Sequence, residues 1–124
     1  MMQRNLKIAI PVIDDLMAMH FGHCQKFAIA ETTNDQIVHI DLIDPPVHER
    51  GKYPFFLAQK GVNVVISGGM GMKALDFFAR NNIDVYLGVS AEKPETLVEK
   101  FLQNKLEFGH NFCEEDKKLR QCSG

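Results

Sequence analysis

The hydrophobic pattern of the chain changes at its midpoint, and this change constrains the fold more than any other feature. In the first half, large apolar side chains alternate with small or polar ones over residues 6–12, 27–32 and 37–44, which is typical of strands. The second and third of these runs are joined by a short Asn-Asp turn, which predicts a β-hairpin. From residue 62 to residue 66 the chain is instead almost continuously apolar and β-branched, as in a strand covered on both faces.

The second half alternates such buried strands with helices. After a short helix at 55–60, the patterns predict a strand at 62–66, a helix at 72–82, a strand at 83–89 and a last helix at 94–105. The element order is therefore β-β-β-α-β-α-β-α. Because a strand–helix–strand connection is right-handed, this order predicts an α/β fold with a single mixed sheet and helices packed against it.

Composition limits the organisation and the partners of the chain. Its 124 residues, 45% hydrophobic and 24% charged, suit one domain at residues 1–106, followed by a charged and flexible tail at 107–124. The net charge of −2 gives no field that would attract nucleic acid or an anionic membrane. The polar start is unlike a signal peptide and no apolar run is long enough to span a membrane, so we expect a cytoplasmic protein.

The loop after the first predicted strand carries the residues that are most informative about chemistry. Within eight residues it contains two thioethers, two imidazoles and a thiol, and we single out His20, His23 and Cys24 as candidate metal ligands. Such donors suit copper, zinc or iron–sulfur species. The alternative interpretation is structural, because methionines commonly fill cores and buried cysteines are commonly inert. The sequence alone leaves both interpretations open.

A second candidate is the glycine-rich turn at residues 67–71, which lies between a predicted strand and a helix. Gly69-x-Gly71-x-x-Ala74 resembles a dinucleotide fingerprint in that context, so a small nucleotide- or phosphate-binding domain is the alternative function. A dinucleotide-binding domain needs a second mononucleotide-binding half, and the chain after residue 89 is too short to form one. This favours the interpretation that the glycines allow close packing of the helix or form an anion site. If the first and fourth predicted strands are parallel neighbours, this turn and the histidine loop converge at one edge of the sheet.

The tail and the remaining residues give less information about function. His110, Cys113 and Cys122 are too few and too widely spaced for a stand-alone zinc module. The three cysteines of the chain do not form a disulfide framework, so reduced thiols are expected. No nucleophile elbow is present, and the first predicted strand carries no carboxylate until Asp14 and Asp15, beyond Pro11, so the sequence gives no good case for hydrolysis. We therefore expect a protein that is not an enzyme.

Three segments together resemble the dinitrogenase iron–molybdenum cofactor biosynthesis family, which includes small nitrogenase accessory proteins. They are residues 7–12, the His-Phe-Gly triplet at 20–22 and residues 64–71, and the likeness extends from about residue 6 to residue 107. The resemblance implies a ribonuclease H-like fold without nuclease activity, and carriage or protection of an iron–sulfur or molybdenum-containing cluster or its precursor. It also implies metal-cluster assembly or acceptor proteins as partners.

The same resemblance implies a cofactor-binding site made of the histidine loop and the facing glycine turn. His20 is the candidate cluster contact, whereas the pair His23-Cys24 occurs in only part of the family. The cofactor-binding residues implied by the resemblance are His20, Phe21, Gly22, Gly68, Gly69, Met70 and Gly71.

Overall fold

The computed structural model describes residues 5–46 and 50–109 of the chain. The strands are β1 (Asn5–Ile13), β2 (Leu16–Met17), β3 (Lys26–Thr33), β4 (Gln36–Ile43), β5 (Val64–Ile66) and β6 (Asp84–Tyr86). The helices are α1 (Tyr53–Gln59), α2 (Met72–Arg80) and α3 (Pro94–Leu102), and a 3-10 turn at Arg50–Lys52 precedes α1. Within the described ranges, no helix is long and apolar enough to cross a membrane.

All six strands belong to one mixed sheet. The strand order is β4-β3-β1-β5-β6, and the short β2 pairs with β1 alone. β3 is antiparallel to both β1 and β4, whereas β5 runs parallel to both β1 and β6. The predicted α/β class, the single mixed sheet and the ribonuclease H-like order are confirmed. The first and fourth predicted strands are indeed parallel neighbours.

The structure adds one strand and shortens two others. β2 folds back on β1 through Asp14 and Asp15, whose φ values of 50° and 68° form a tight left-handed turn. Two residues are too few to show any periodicity, so the sequence pattern could not reveal this strand. The strands predicted at 62–66 and 83–89 each contain only three residues in the structure. The apolar residues that flank them, such as Val62, Ile83 and Val89, are buried but lie outside the paired part of each strand.

Two cores lie on opposite faces of the sheet. On one face, buried residues of α1 and α2 such as Leu57 and Phe78 pack against Ala9 of β1 and Val65 of β5. On the other face, residues of α3 such as Leu97 pack against the neighbouring positions of the same strands. The central strands are therefore covered on both sides, as the continuous apolar run at 62–66 predicted.

The carboxyl ends of β1, β5 and β6 meet at one edge of the sheet, since these strands are parallel. We call it the carboxyl edge. It carries the loop at residues 18–24, the turn at 67–71 and the start of the connection at 87–93. In open α/β sheets this is the edge where ligands bind.

Candidate functional site

The histidine loop and the glycine turn are joined through their backbones. His20 forms an isolated parallel bridge with Gly69, and the amide of Phe21 donates to the Gly69 carbonyl at 2.9 Å. On the other side of the turn, the amide of Gly88 donates to the Gly68 carbonyl, also at 2.9 Å. The three segments thus lie side by side at the carboxyl edge, and the expected convergence of the two loops is confirmed.

Phe21 anchors the histidine loop in the core. Its side chain is 0% exposed, and its ring centroid lies 5.5 Å from that of Phe27, 5.7 Å from Phe78 and 6.2 Å from Tyr53. Such aromatic pairs each contribute about 0.5–1.5 kcal/mol beyond the area they bury. The backbone of the adjacent His20 is consequently held by packing as well as by hydrogen bonds.

The two imidazoles of the loop lie close together on one tight turn. The amide of His23 donates to the His20 carbonyl at 3.1 Å, and the ring centroids are 6.2 Å apart in an edge-on arrangement. His20 is partly buried and His23 is exposed. A neutral imidazole offers one ring nitrogen to a metal, so the pair fits a soft or borderline ion or a cluster as part of its ligand set.

The described residues supply only a partial ligand set. Within residues 5–46 and 50–109, no three His, Cys, Asp or Glu side chains come together as a group that could hold a metal ion. A structural zinc site needs four such ligands. Any further ligand to a metal ion must therefore come from a methionine thioether of these loops, from the bound group itself, from a partner, or from the remaining part of the chain. The candidates His110, Cys113 and Cys122 lie outside the described residues.

Cys24 is partly buried, as His20 is, whereas His23 is exposed. The Cys24 side chain packs against the core that contains Phe21. Desolvation by this burial raises the pKa of the Cys24 thiol from 9.0 to about 12. The protonated thiol is therefore the dominant form at neutral pH, and a metal that binds at Cys24 must displace the proton.

This buried thiol predicts a loss of stability in alkali. Between about pH 9 and pH 12 the unfolded state releases the thiol proton while the folded state retains it, so the free energy of unfolding falls as pH rises. We expect a Cys24→Ala variant to show a smaller fall over this interval, measured by urea denaturation at stepped pH. Parallel profiles for the variant and the original protein would contradict the predicted shift.

The methionines of the two loops divide into buried and exposed pairs. Met17 and Met70 lie in the two cores, Met70 being 1% exposed, whereas Met19 and Met72 are 40% and 70% exposed. Met19 and Met72 are therefore the thioethers of these loops that a ligand can reach. The sequence alone does not distinguish the buried methionines from the exposed ones, because a loop has no periodicity from which burial can be read.

The glycine turn directs its polar groups toward neighbouring segments. Gly68 and Gly69 are buried, and the Ser67 hydroxyl donates to the Gly69 carbonyl at 3.1 Å. The Ser67 amide donates to the carbonyl of Tyr86 at 3.0 Å. These contacts show a turn used for close packing of β5, β6 and the histidine loop, and they lend no support to the nucleotide or phosphate alternative.

Together, the strand order and the histidine loop packed on a buried glycine turn define a small α/β protein with a ribonuclease H-like sheet. Residues 4–104 match the family described as dinitrogenase iron-molybdenum cofactor. The chain belongs to this family, and is accordingly a small cofactor-related protein.

Similar proteins match this chain along nearly their whole length. The chain is 35% identical over 107 residues to the uncharacterized protein MJ0580 of Methanocaldococcus jannaschii, covering 82% of this chain and 90% of that protein. The crystal structure of PH0822 superimposes with a TM-score of 0.79 at 24% identity, covering 86% and 97% of the two chains. The apo form of the orange protein from Desulfovibrio gigas gives 0.71 at 19% identity, covering 87% and 96%. Both solved structures have the same fold.

Proposed function

We propose that this protein is a non-enzymatic binding or carrier protein for an iron–sulfur or molybdenum-type cluster, its precursor or a soft metal ion. The observation that carries the proposal is the fixed position of His20 beside Gly69, with Phe21 buried directly behind it. These contacts fix the backbone of His20, so less conformational freedom is lost when its imidazole binds a metal, and this favours affinity.

The residues of the site have different roles in this proposal. His20 and His23 are the side-chain ligands, and Cys24 contributes only if the metal displaces its proton. Phe21 and Met70 act through their backbone positions, since their side chains are in the core. The remaining residues shape the wall that faces the bound group; they are Gly22, Gly68, Gly69 and Gly71.

The same edge suits transfer to another protein. Ile13 at the end of β1, and Leu16 and Met19 after it, are exposed apolar residues. Exposed apolar side chains near a site are what a docking partner can bury. Metal-cluster assembly or acceptor proteins are therefore the partners that we propose.

The proposal is tested by replacing His20 with alanine. We expect the affinity for Co²⁺, and the iron retained after anaerobic reconstitution with iron and sulfide, to fall at least tenfold, because the positioned imidazole is lost. His39→Ala is the matched control, since His39 is an exposed histidine on β4 that pairs with Asp41 on the same strand. Metal content is measured per protein chain together with the absorption spectrum. Equal metal binding by the two variants would overturn the proposal.

A further inference from the structure

Strand β4 forms a lateral edge of the sheet that is open to further pairing. Among the described residues it pairs with β3 and with no other strand, and it lies at one end of the strand order. Its eight residues make it much longer than β6, the three-residue strand at the other end. Alternate amide and carbonyl groups of β4 therefore face away from β3, and a long edge of this kind is a template for another strand.

The apolar side chains of β4 add to this capacity. Val38 is 67% exposed and Leu42 is 55% exposed. Ile37 and Ile40 only partly reach the core that includes α3. Natural edge strands are usually short or carry lysine or proline, which prevents pairing with another chain. β4 contains neither of these residues, so its exposed apolar positions favour a partner strand.

The sequence of β4 is symmetric in character about Ile40. His39 and Asp41 flank Ile40 as an imidazole and a carboxylate. Val38 and Leu42 follow on either side as apolar residues. When two copies of such a strand pair antiparallel around a two-fold axis through Ile40, residue 39 of each copy lies opposite residue 41 of the other. An imidazole then faces a carboxylate, and apolar side chains face apolar side chains.

The polar pair distinguishes this register from its neighbours. His39 Nε2 lies 2.7 Å from Asp41 Oδ1 within one chain, and both side chains are more than half exposed. In the register centred on Ile40, each imidazole meets the carboxylate of the second copy as well as its own. A register centred on Asp41 places two carboxylates opposite each other, which is destabilising. The side chains on this face therefore favour pairing about Ile40.

A bulge limits the length of the pairing. The register of β4 against β3 shifts, so that Val38 is an extra residue between the partners of Glu31 and Thr32. Because a bulge bends its strand and interrupts the ladder, two copies can pair over about residues 38–42. Such a short interface belongs among the small and weak ones, so the association depends on protein concentration.

We propose that a second copy of this chain pairs with β4, antiparallel about Ile40, so that the two sheets form one continuous sheet across a two-fold axis. The open backbone edge provides the attraction, and His39 and Asp41 set the register. The pairing involves neither the histidine loop nor the glycine turn, so its test is independent of the proposed function.

Sedimentation velocity of the metal-free, full-length protein tests the association. We expect the weight-average sedimentation coefficient to rise from the value of a monomer toward that of a dimer between about 10 μM and 1 mM, as for a small interface. A protein that stays monomeric over this range would contradict the proposal.

Charge reversals at positions 39 and 41 test the register. They are made in a Glu31→Gln background, because Glu31 lies opposite His39 on β3 and would repel a carboxylate introduced there. We expect His39→Glu and Asp41→Lys each to weaken association about tenfold, since like charges then face each other across the axis. An equimolar mixture of the two variants should recover association, because the introduced carboxylate faces the introduced ammonium group.

Asp84→Lys is the matched control for a charge reversal. Asp84 is an exposed aspartate on β6, at the other end of the strand order, so this variant should associate as the original protein does. Urea denaturation shows whether each variant is folded. Dimers that survive either reversal at β4, or that mixing does not restore, would overturn the register.

A covalent trap tests the same contact without relying on charge. In a protein whose three cysteines are replaced by serine or alanine, we expect Ile40→Cys to give a disulfide-linked dimer under mild oxidation. The Cα atoms of directly opposite residues lie about 4.5–5.5 Å apart, which a disulfide can span. Asp84→Cys is the control and should stay monomeric. Equal cross-linking at both positions, or none at position 40, would overturn the proposal.

Discussion

Replacement of Phe21 by alanine is expected to lower the free energy of unfolding by about 3–5 kcal/mol, the usual cost of removing a buried aromatic side chain. The ring is fully enclosed and touches Phe27, Tyr53 and Phe78, so its loss leaves a cavity between the sheet and both α1 and α2. The backbone of His20 loses its anchor in the same step. We therefore expect weaker metal binding in this variant even under conditions where it is fully folded.

Urea denaturation measures the stability effect, with an unchanged m-value as the sign that the unfolded state is the same. Phe55→Ala is the matched control, because Phe55 is 54% exposed and its loss should change stability by less than about 0.5 kcal/mol. A Phe21→Ala variant as stable as Phe55→Ala would show that Phe21 does not anchor the loop.

Two substitutions of Met70 separate its packing role from a ligand role. Met70→Ala should cost about 2–5 kcal/mol of stability because the side chain is buried in the core. Met70→Leu keeps the volume and removes the sulfur, and should cost less than about 1.5 kcal/mol while leaving metal binding intact. Stability is measured in urea and bound metal after reconstitution. Met72→Ala, at an exposed position, is the control for loss of a thioether without loss of packing. A Met70→Leu variant that is stable but binds no metal would assign the Met70 sulfur as a ligand.

The sequence predicted where the strands lie, because each apolar run corresponds to a strand of the sheet. Burial follows the pattern only in the continuous run of β5. The alternating runs of β1 and β3 are buried on both faces at residues 8–12 and 27–30, whereas Val38 and Leu42 of β4 are exposed. β2 was missed because it contains only two residues, and its turn depends on left-handed Asp14 and Asp15 rather than on glycine.

The location of the candidate site could be predicted from the sequence, but the burial of its individual side chains could not. The convergence of the histidine loop and the glycine turn follows from parallel β1 and β5, which the sequence indicated. The sequence could not show that Phe21 and Met70 point into the core, whereas Met19 and Met72 do not. Nor could it show that Phe108 and Gly109 pack beside β6, because single contacts in irregular segments have no repeating pattern.

The bridge between His20 and Gly69 joins two segments that are far apart in the sequence, and this has a consequence for the order of events during synthesis. A chain emerging from the ribosome exposes His20 long before Gly69 exists, and parallel pairing of β1 with β5 requires the whole intervening crossover. Contacts of such long sequence separation form late, since the entropy of closing the loop must be lost first. The position of His20 beside Gly69 therefore cannot form before β5 and the turn after it have been synthesised, so the proposed metal site depends on a chain that extends at least to residue 69.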